Sequence, residues 1–170
     1  PVVVFEHKLL YGGSRKEKDA LQTSGEVPET DYTVEFGKAA VRREGTDLTI
    51  VANLLMSYRA QEAAALAAEK DGISCEVIDP RTLVPFDYET VEASVKKTGK
   101  LLIVHEDVYT NGWGAQLSAH FAEKCIYDLD APIMRVATPD TPIPFAPNLE
   151  NYVIPSKERI YQAIIDLAKQ

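Results

Sequence analysis

From residue 39 onward the chain alternates short β-branched runs with amphipathic or alanine-rich stretches, and this alternation constrains the fold most. Ala39–Arg43 and Leu48–Ala52 read as strands, the first ended by Glu44-Gly45. Ser57 is placed to cap a helix that runs through Lys70 and stops at Gly72. Its Ala60, Ala63, Ala64, Ala65, Ala67 and Ala68 suit a helix lying close on a sheet. Ile73–Ile78 is a strand ended by Asp79-Pro80, and Asp87 caps a helix with Glu89 in its first turn and Gly99 at its end. Leu101–Val104 is again a strand, Gly112-Trp113-Gly114 turns into a helix, and Ile133–Val136 is a further strand. Pro139, Pro142, Pro144 and Pro147 speak against regular structure there, and Ser156 caps a final helix carrying Ile160, Ala163, Ile164 and Leu167 on one face. Such alternation makes an α/β fold: a parallel or mostly parallel sheet with helices on both faces. Ligands of such sheets sit beyond the carboxyl ends of the strands. Those ends carry Asn53, Asp79 with Arg81, His105 with Glu106, and Thr138 with Asp140.

Ahead of this region, Pro1–Glu6 reads as a continuously apolar strand buried on both faces, with no helix of its own to follow it. Gly12 to Asp31, with Arg15, Lys16 and Lys18 in its basic cluster, has the composition of a solvated linker, and a domain boundary is expected near residue 35. The first residue is Pro1, and no signal-peptide pattern follows, so the chain is expected to be cut from something longer. Eighteen basic against 26 acidic side chains in 170 residues give a net charge of −8. That balance argues against a nucleic-acid surface, which needs a basic stripe. No apolar run approaches the roughly 18–20 residues of a membrane span. Two cysteines and no N-x-[ST] acceptor suit a reducing cytoplasmic or organellar compartment.

Several chemistries lack their residues. Gly112-Trp113-Gly114 is followed by Leu117, where the dinucleotide fingerprint needs a third glycine, and Ser94 stands where a phosphate loop ending at Gly99-Lys100 needs its first. No G-x-S-x-G occurs, and His7, His105 and His120 lack metal-ligand spacing. Cys75 and Cys125 read as core thiols, and Trp113 as a packing anchor. Two constellations remain. His105-Glu106-Asp107 faces the Gly112–Gly114 turn, where His105 and Glu106 form either a general acid–base pair or a hydrogen-bonded brace. Arg81, beside the Pro85-Phe86-Asp87 turn, reads as a buried arginine tied to Asp79 or to a backbone carbonyl. The residues alone leave open a small enzyme using His105 and Glu106, a stand-alone protein-binding domain, or part of a larger enzyme.

Five ordered segments carry a specific resemblance: Arg43–Val51, Cys75–Asp87, Thr98–Glu106, Leu129-Asp130-Ala131-Pro132 and Thr138–Phe145. Together they resemble the C-terminal half of the β subunit of the thiamine-diphosphate-dependent 2-oxo acid dehydrogenases. His105-Glu106 resembles branched-chain (2-oxoisovalerate) members more than pyruvate ones. Phe5–Tyr11 resembles the exit from the pyrimidine-binding domain of that subunit. The resemblance implies residues 1–11 as the tail of that domain, 12–35 as linker, and 36–170 as a transketolase C-terminal-like domain. Its fold is three layers, α/β/α, around a five-stranded mixed sheet whose first strand, Ala39–Arg43, runs antiparallel to the rest. It further implies an α/β heterotetramer that uses thiamine diphosphate and Mg²⁺ to decarboxylate a 2-oxo acid and pass the acyl group to a lipoyl arm. The catalytic glutamate and the Mg²⁺–diphosphate motif of that family lie outside these residues, so this piece is expected to have no catalytic, cofactor or metal ligands of its own. Its partners are then the α subunit, a second β subunit, and the subunit-binding domain of the dihydrolipoyl acyltransferase. Asp130 matches the acidic docking position of bacterial members, while Met134 stands where a second acid has been associated. The implied compartment is the bacterial or archaeal cytoplasm, or the mitochondrial matrix.

Overall fold

The structure, a computed structural model, describes residues 1–11, 23 and 25–170. The basic cluster at Arg15, Lys16 and Lys18 lies outside the described residues. Five strands form one sheet in the order β1-β3-β2-β4-β5: β1 is Ala40–Arg43, β2 Leu48–Ala52, β3 Cys75–Asp79, β4 Leu101–Val108 and β5 Met134–Thr138. β1 pairs antiparallel with β3 and every other pair is parallel, as the resemblance implies. Between them run helices α1 (Leu54–Asp71), α2 (Tyr88–Thr98) and α3 (Trp113–Lys124), followed after β5 by α4 (Pro147–Val153) and α5 (Lys157–Ala168).

Alternation along the strands sorts two cores onto the two faces of the sheet. On one face Leu48, Ile50, Leu102 and Val104 pack under α1 and α5, which contribute Ala60, Ala63, Ala64 and Ala67, and Ile160, Ile164 and Leu167. On the other, Val51, Ile78, Leu101 and Ile103 meet Val91 and Val95 of α2 and Leu117 and Phe121 of α3. The alanine face of α1 lets its backbone settle on β2 and β3, as the sequence requires. Gly45, ahead of β2, lies so close to the Cys75–Glu76 peptide that a Cβ there would overlap its backbone.

Four expectations need correcting. Pro1–Glu6 is not a strand: it pairs with nothing among the described residues and leaves Val2–Phe5 69–77% exposed. α1 begins one turn earlier than Ser57. Asn53 occupies the cap position and its carbonyl accepts from the Ser57 N–H at 3.2 Å, which leaves Ser57 buried inside the helix. β4 continues past Val104 to Val108, because its polar end still pairs with β5 through Val108 and Thr138. The proline-rich stretch ends in a helix after all, since Pro147 takes the first position of α4, where its missing N–H costs nothing. The Asp87 cap of α2 and the Ser156 cap of α5 hold, each accepting from the backbone N–H three residues on.

Candidate functional site at the strand ends and on the acidic turn

The carboxyl ends of the parallel strands gather the residues expected there. His105 and Glu106 are neighbours on β4 and therefore point to opposite faces of the sheet. His105 is fully buried on the α3 side, its ring 5.2 Å from that of Trp113. An added Cβ at Gly112 would stand 2.9 Å from its Cε1, and one at Gly114 only 2.5 Å from its Cδ2 and closer still to Nε2. The two glycines are thus the seat of the imidazole. Glu106, half-exposed on the other side, meets the His7 Nε2 of the incoming chain at 3.2–3.4 Å. The strand's own alternation separates the two, so they form neither an acid–base pair nor a mutual brace. The brace that exists is His7–Glu106, which the sequence reading missed because 99 residues separate its members.

Burial pulls the His105 pKa below its ordinary 6.5, and the positive charge of Arg135 adds to the shift, while the Asp107 carboxylate and backbone pull toward protonation. Neither ring nitrogen has a protein hydrogen-bond partner among the described residues. Asp107 itself lies against the start of α3: an added Cβ at Gly112 would stand 3.1 Å from its Oδ2. The helix N-terminus thus already faces a carboxylate of this chain. Asp140 takes hydrogen bonds from the Thr110 N–H (2.8 Å) and hydroxyl (2.6 Å), which hold its pKa below 3.8. Arg135 of β5 stacks on the Tyr109 ring at 3.9 Å and donates to the Tyr109 carbonyl. This rim of Glu106, Asp107 and Asp140 does not fit a diphosphate, which like charges repel, and among the described residues no three potential ligands converge on a metal position.

Arg81 is exposed rather than buried, with φ at 56°. Its guanidinium donates to the Lys38 and Ala39 carbonyls at 2.8 and 3.2 Å, so the carbonyl half of the expectation holds. Its contact with Asp79 is through the backbone N–H, because the Asp79 carboxylate is taken by Arg42 at 2.9 Å. Arg81 therefore pins the entry into β1. Asp87 does the same from α2, accepting from the Ala39 N–H at 2.8 Å. Burial works to raise its pKa, yet the bonds from Ala39 and Thr90 bring it below the ordinary value.

Asp130 stands apart from the strand ends. It is exposed on the turn between α3 and β5, its N–H donating to the Gly99 carbonyl at 2.7 Å. Its carboxylate lies across Gly99, where a side chain would collide with it. Beside it opens a shallow groove of about 500 Å³ lined by Ala122, Ile126, Leu129, Pro132 and Ile133, with Tyr127 fully exposed next to the lining. A carboxylate at the edge of an apolar groove is an arrangement that receives a cation with apolar neighbours.

A three-layer α/β domain with a mixed sheet, one antiparallel edge and an acidic turn on its surface defines the class. Its family follows from comparison with known proteins: the chain belongs to the "Transketolase, C-terminal domain" family, whose model matches residues 37–160. It is 45% identical over 168 residues to the 2-oxoisovalerate dehydrogenase subunit beta 2, mitochondrial, of Arabidopsis thaliana, which covers 96% of this chain and 42% of that protein. It is 41% identical over 170 residues to the 2-oxoisovalerate dehydrogenase subunit beta of Bacillus subtilis, covering 99% and 49%. With the pyruvate dehydrogenase E1 component subunit beta of B. subtilis it shares 45% identity over 146 residues, covering 86% and 42%. The chain thus spans a little under half the length of these relatives. Among solved structures, a split-gene transketolase described as an inactive beta4 tetramer superposes with a TM-score of 0.70 at 28% identity, over 85% of this chain and 46% of that one. A transketolase mutant of Pichia stipitis, at 18% identity and a TM-score of 0.53 over 79% of this chain and 18% of that one, speaks for the fold alone. No helix among the described residues is long and apolar enough to cross a membrane.

Proposed function

We propose that this chain is the assembly domain of a 2-oxo acid dehydrogenase β subunit, in an enzyme that oxidatively decarboxylates a 2-oxo acid and hands the acyl group to a lipoyl arm. The observation that carries the reading is identity of 41–45% with such β subunits over nearly the whole chain. The distribution of apolar surface supports it. Of the exposed large apolar side chains among the described residues, half fall in the first 36 positions: Val2–Phe5, Leu9, Tyr11, Val27, Tyr32, Val34 and Phe36. Apolar side chains exposed in such number on one stretch of chain suit contact with another body. Residues 1–11 are then the tail of the pyrimidine-binding domain, 12–35 the linker, and 36–170 the assembly domain. Thiamine diphosphate and Mg²⁺ would be held by the remainder of the β subunit and by the α subunit; the acidic strand ends here would repel the diphosphate. Of the possible substrates, the relatives include branched-chain and pyruvate β subunits at like identity, 41–45%, and the His105-Glu106 pair is what favours a branched-chain 2-oxo acid. The compartment is the mitochondrial matrix or the bacterial or archaeal cytoplasm.

In this reading Asp130 and its groove dock the acyltransferase. An arginine of the subunit-binding domain meets the carboxylate, an apolar side chain enters beside Ile126 and Ile133, and closure desolvates the pair. Truncating one partner of such a pair costs about 2–5 kcal/mol. Calorimetric titration of the intact β subunit with the acyltransferase subunit-binding domain tests it: Asp130→Ala is expected to weaken binding by at least about thirtyfold. Unchanged affinity would remove the site.

A further inference from the structure

We infer that the end of β4 is an acid-operated latch: the neutral His105 ring seats the first turn of α3, and protonation unseats it, opening the 109–112 turn and freeing Trp113.

Positions Leu101, Ile103 and His105 share one face of β4, where the first two are core residues. The third is an imidazole, fully buried, fitted against Gly112 and Gly114 so closely that neither can carry a side chain without displacing it. The ring lies at the start of α3, the end of a helix that favours negative charge and lone pairs and disfavours a cation. A neutral imidazole suits that position. An imidazolium does not: it brings a charge into a fully buried site where the carboxylate and backbone of Asp107 are its counterweight.

The surroundings set the balance. On its own strand Glu106 and Asp107 carry negative charge, but Glu106 is on the opposite face, held by His7. Asp107 is the one carboxylate that favours the protonated ring, and Arg135 of β5 opposes it. The end of β2, Ala52-Asn53, and the first turn and a half of α3, Trp113 to Ser118, contribute no titratable group. Burial therefore decides, and it favours the neutral form. In the opened form the ring meets water and regains its ordinary value of 6.5. Between that value and the lower one of the closed form, each unit of falling pH shifts the equilibrium tenfold toward opening. The segment released lies on the outer rim, where Tyr109, Thr110 and Asn111 are exposed. The latch therefore makes this exposed rim sensitive to acid.

Trp113 is the sole tryptophan of the chain, which makes the latch readable. The intrinsic emission of the 170-residue chain is recorded from about pH 7.5 to 5.0 with far-UV circular dichroism alongside. The expected result is a reversible red shift and loss of intensity with its midpoint below 6.5, at constant ellipticity. It should vanish in His105→Phe and persist in His7→Ala and His120→Ala. Should His105→Phe not fold, proton NMR of the three histidine rings in the unaltered chain decides instead, with the His105 resonances expected to move together with the emission. Emission that stays constant over the range, or a transition that tracks His7 or His120, would overturn the inference.

Discussion

Replacing Gly114 with alanine probes the close packing of β4 on α3. The added methyl would arrive 2.5 Å from His105 Cδ2 and 3.2 Å from Ile103 Cγ2, so the buried ring must shift. Overpacking of this kind costs about 1–3 kcal/mol. Against it stands the helix preference of alanine over glycine, at most about 1 kcal/mol and less in a first turn. Gly114→Ala is therefore expected to destabilise the chain by about 1–2 kcal/mol. In a His105→Ala background the ring is gone and only the looser 3.2 Å approach to Ile103 Cγ2 opposes the preference, so the same substitution should be close to neutral. The coupling between the two sites is then about 1–2 kcal/mol, well above the few tenths of independent positions. Urea unfolding of the four proteins, followed by circular dichroism, measures it. With m of about 1–3 kcal/mol/M, the single variant should lose roughly 0.3–2 M in midpoint. Equal effects of Gly114→Ala in both backgrounds would refute the reasoning.

Asp87 caps α2 and holds the Ala39 N–H, so Asp87→Ala should cost about 1–3 kcal/mol, measured by the same unfolding assay, with Asp87→Asn milder because it keeps the cap oxygen. The folded-state pKa of Asp87 lies below 3.8, so its contribution is present above 3.8 and fades as pH falls through the lower value. Unfolding midpoints taken across that range should fall less in Asp87→Asn than in the unaltered chain. Glu76 is a nearly buried carboxylate on β3, paired with Lys97 of α2. Burial works to raise its pKa and the pairing brings it below 4.5. Lys97→Met should leave Glu76 unpaired, raise its pKa and destabilise by about 1–2 kcal/mol, below the fully buried case because Lys97 is 42% exposed. NMR titration of the Glu76 carboxyl and urea unfolding check both parts.

The alternation of strands and helices was legible because each element announces itself: Gly72 and Gly99 as left-handed stops, Asp87 and Ser156 as caps, and β-branched runs between. The antiparallel β1 followed from the family resemblance, since its four residues carry no signal of direction. Strand ends were misjudged where pairing outlasts hydrophobicity, as in His105–Val108 of β4. The His105-Glu106 pair looked like one unit because adjacency in sequence hides the two-residue period that sends them to opposite faces. Arg81 looked buried because its Pro80 and Pro85 surroundings suggest enclosure, while its partners are carbonyls at an exposed edge. The seat of His105 was half visible: two glycines flanking Trp113 signal close approach, and only the fold says to what.

The most direct test of the central claim is a decarboxylation assay with 2-oxoisovalerate, thiamine diphosphate and Mg²⁺, run on the 170-residue chain alone and on the α/β enzyme whose β subunit contains it. Turnover is expected from the complete enzyme and none from the chain. Turnover by the isolated chain would contradict that claim.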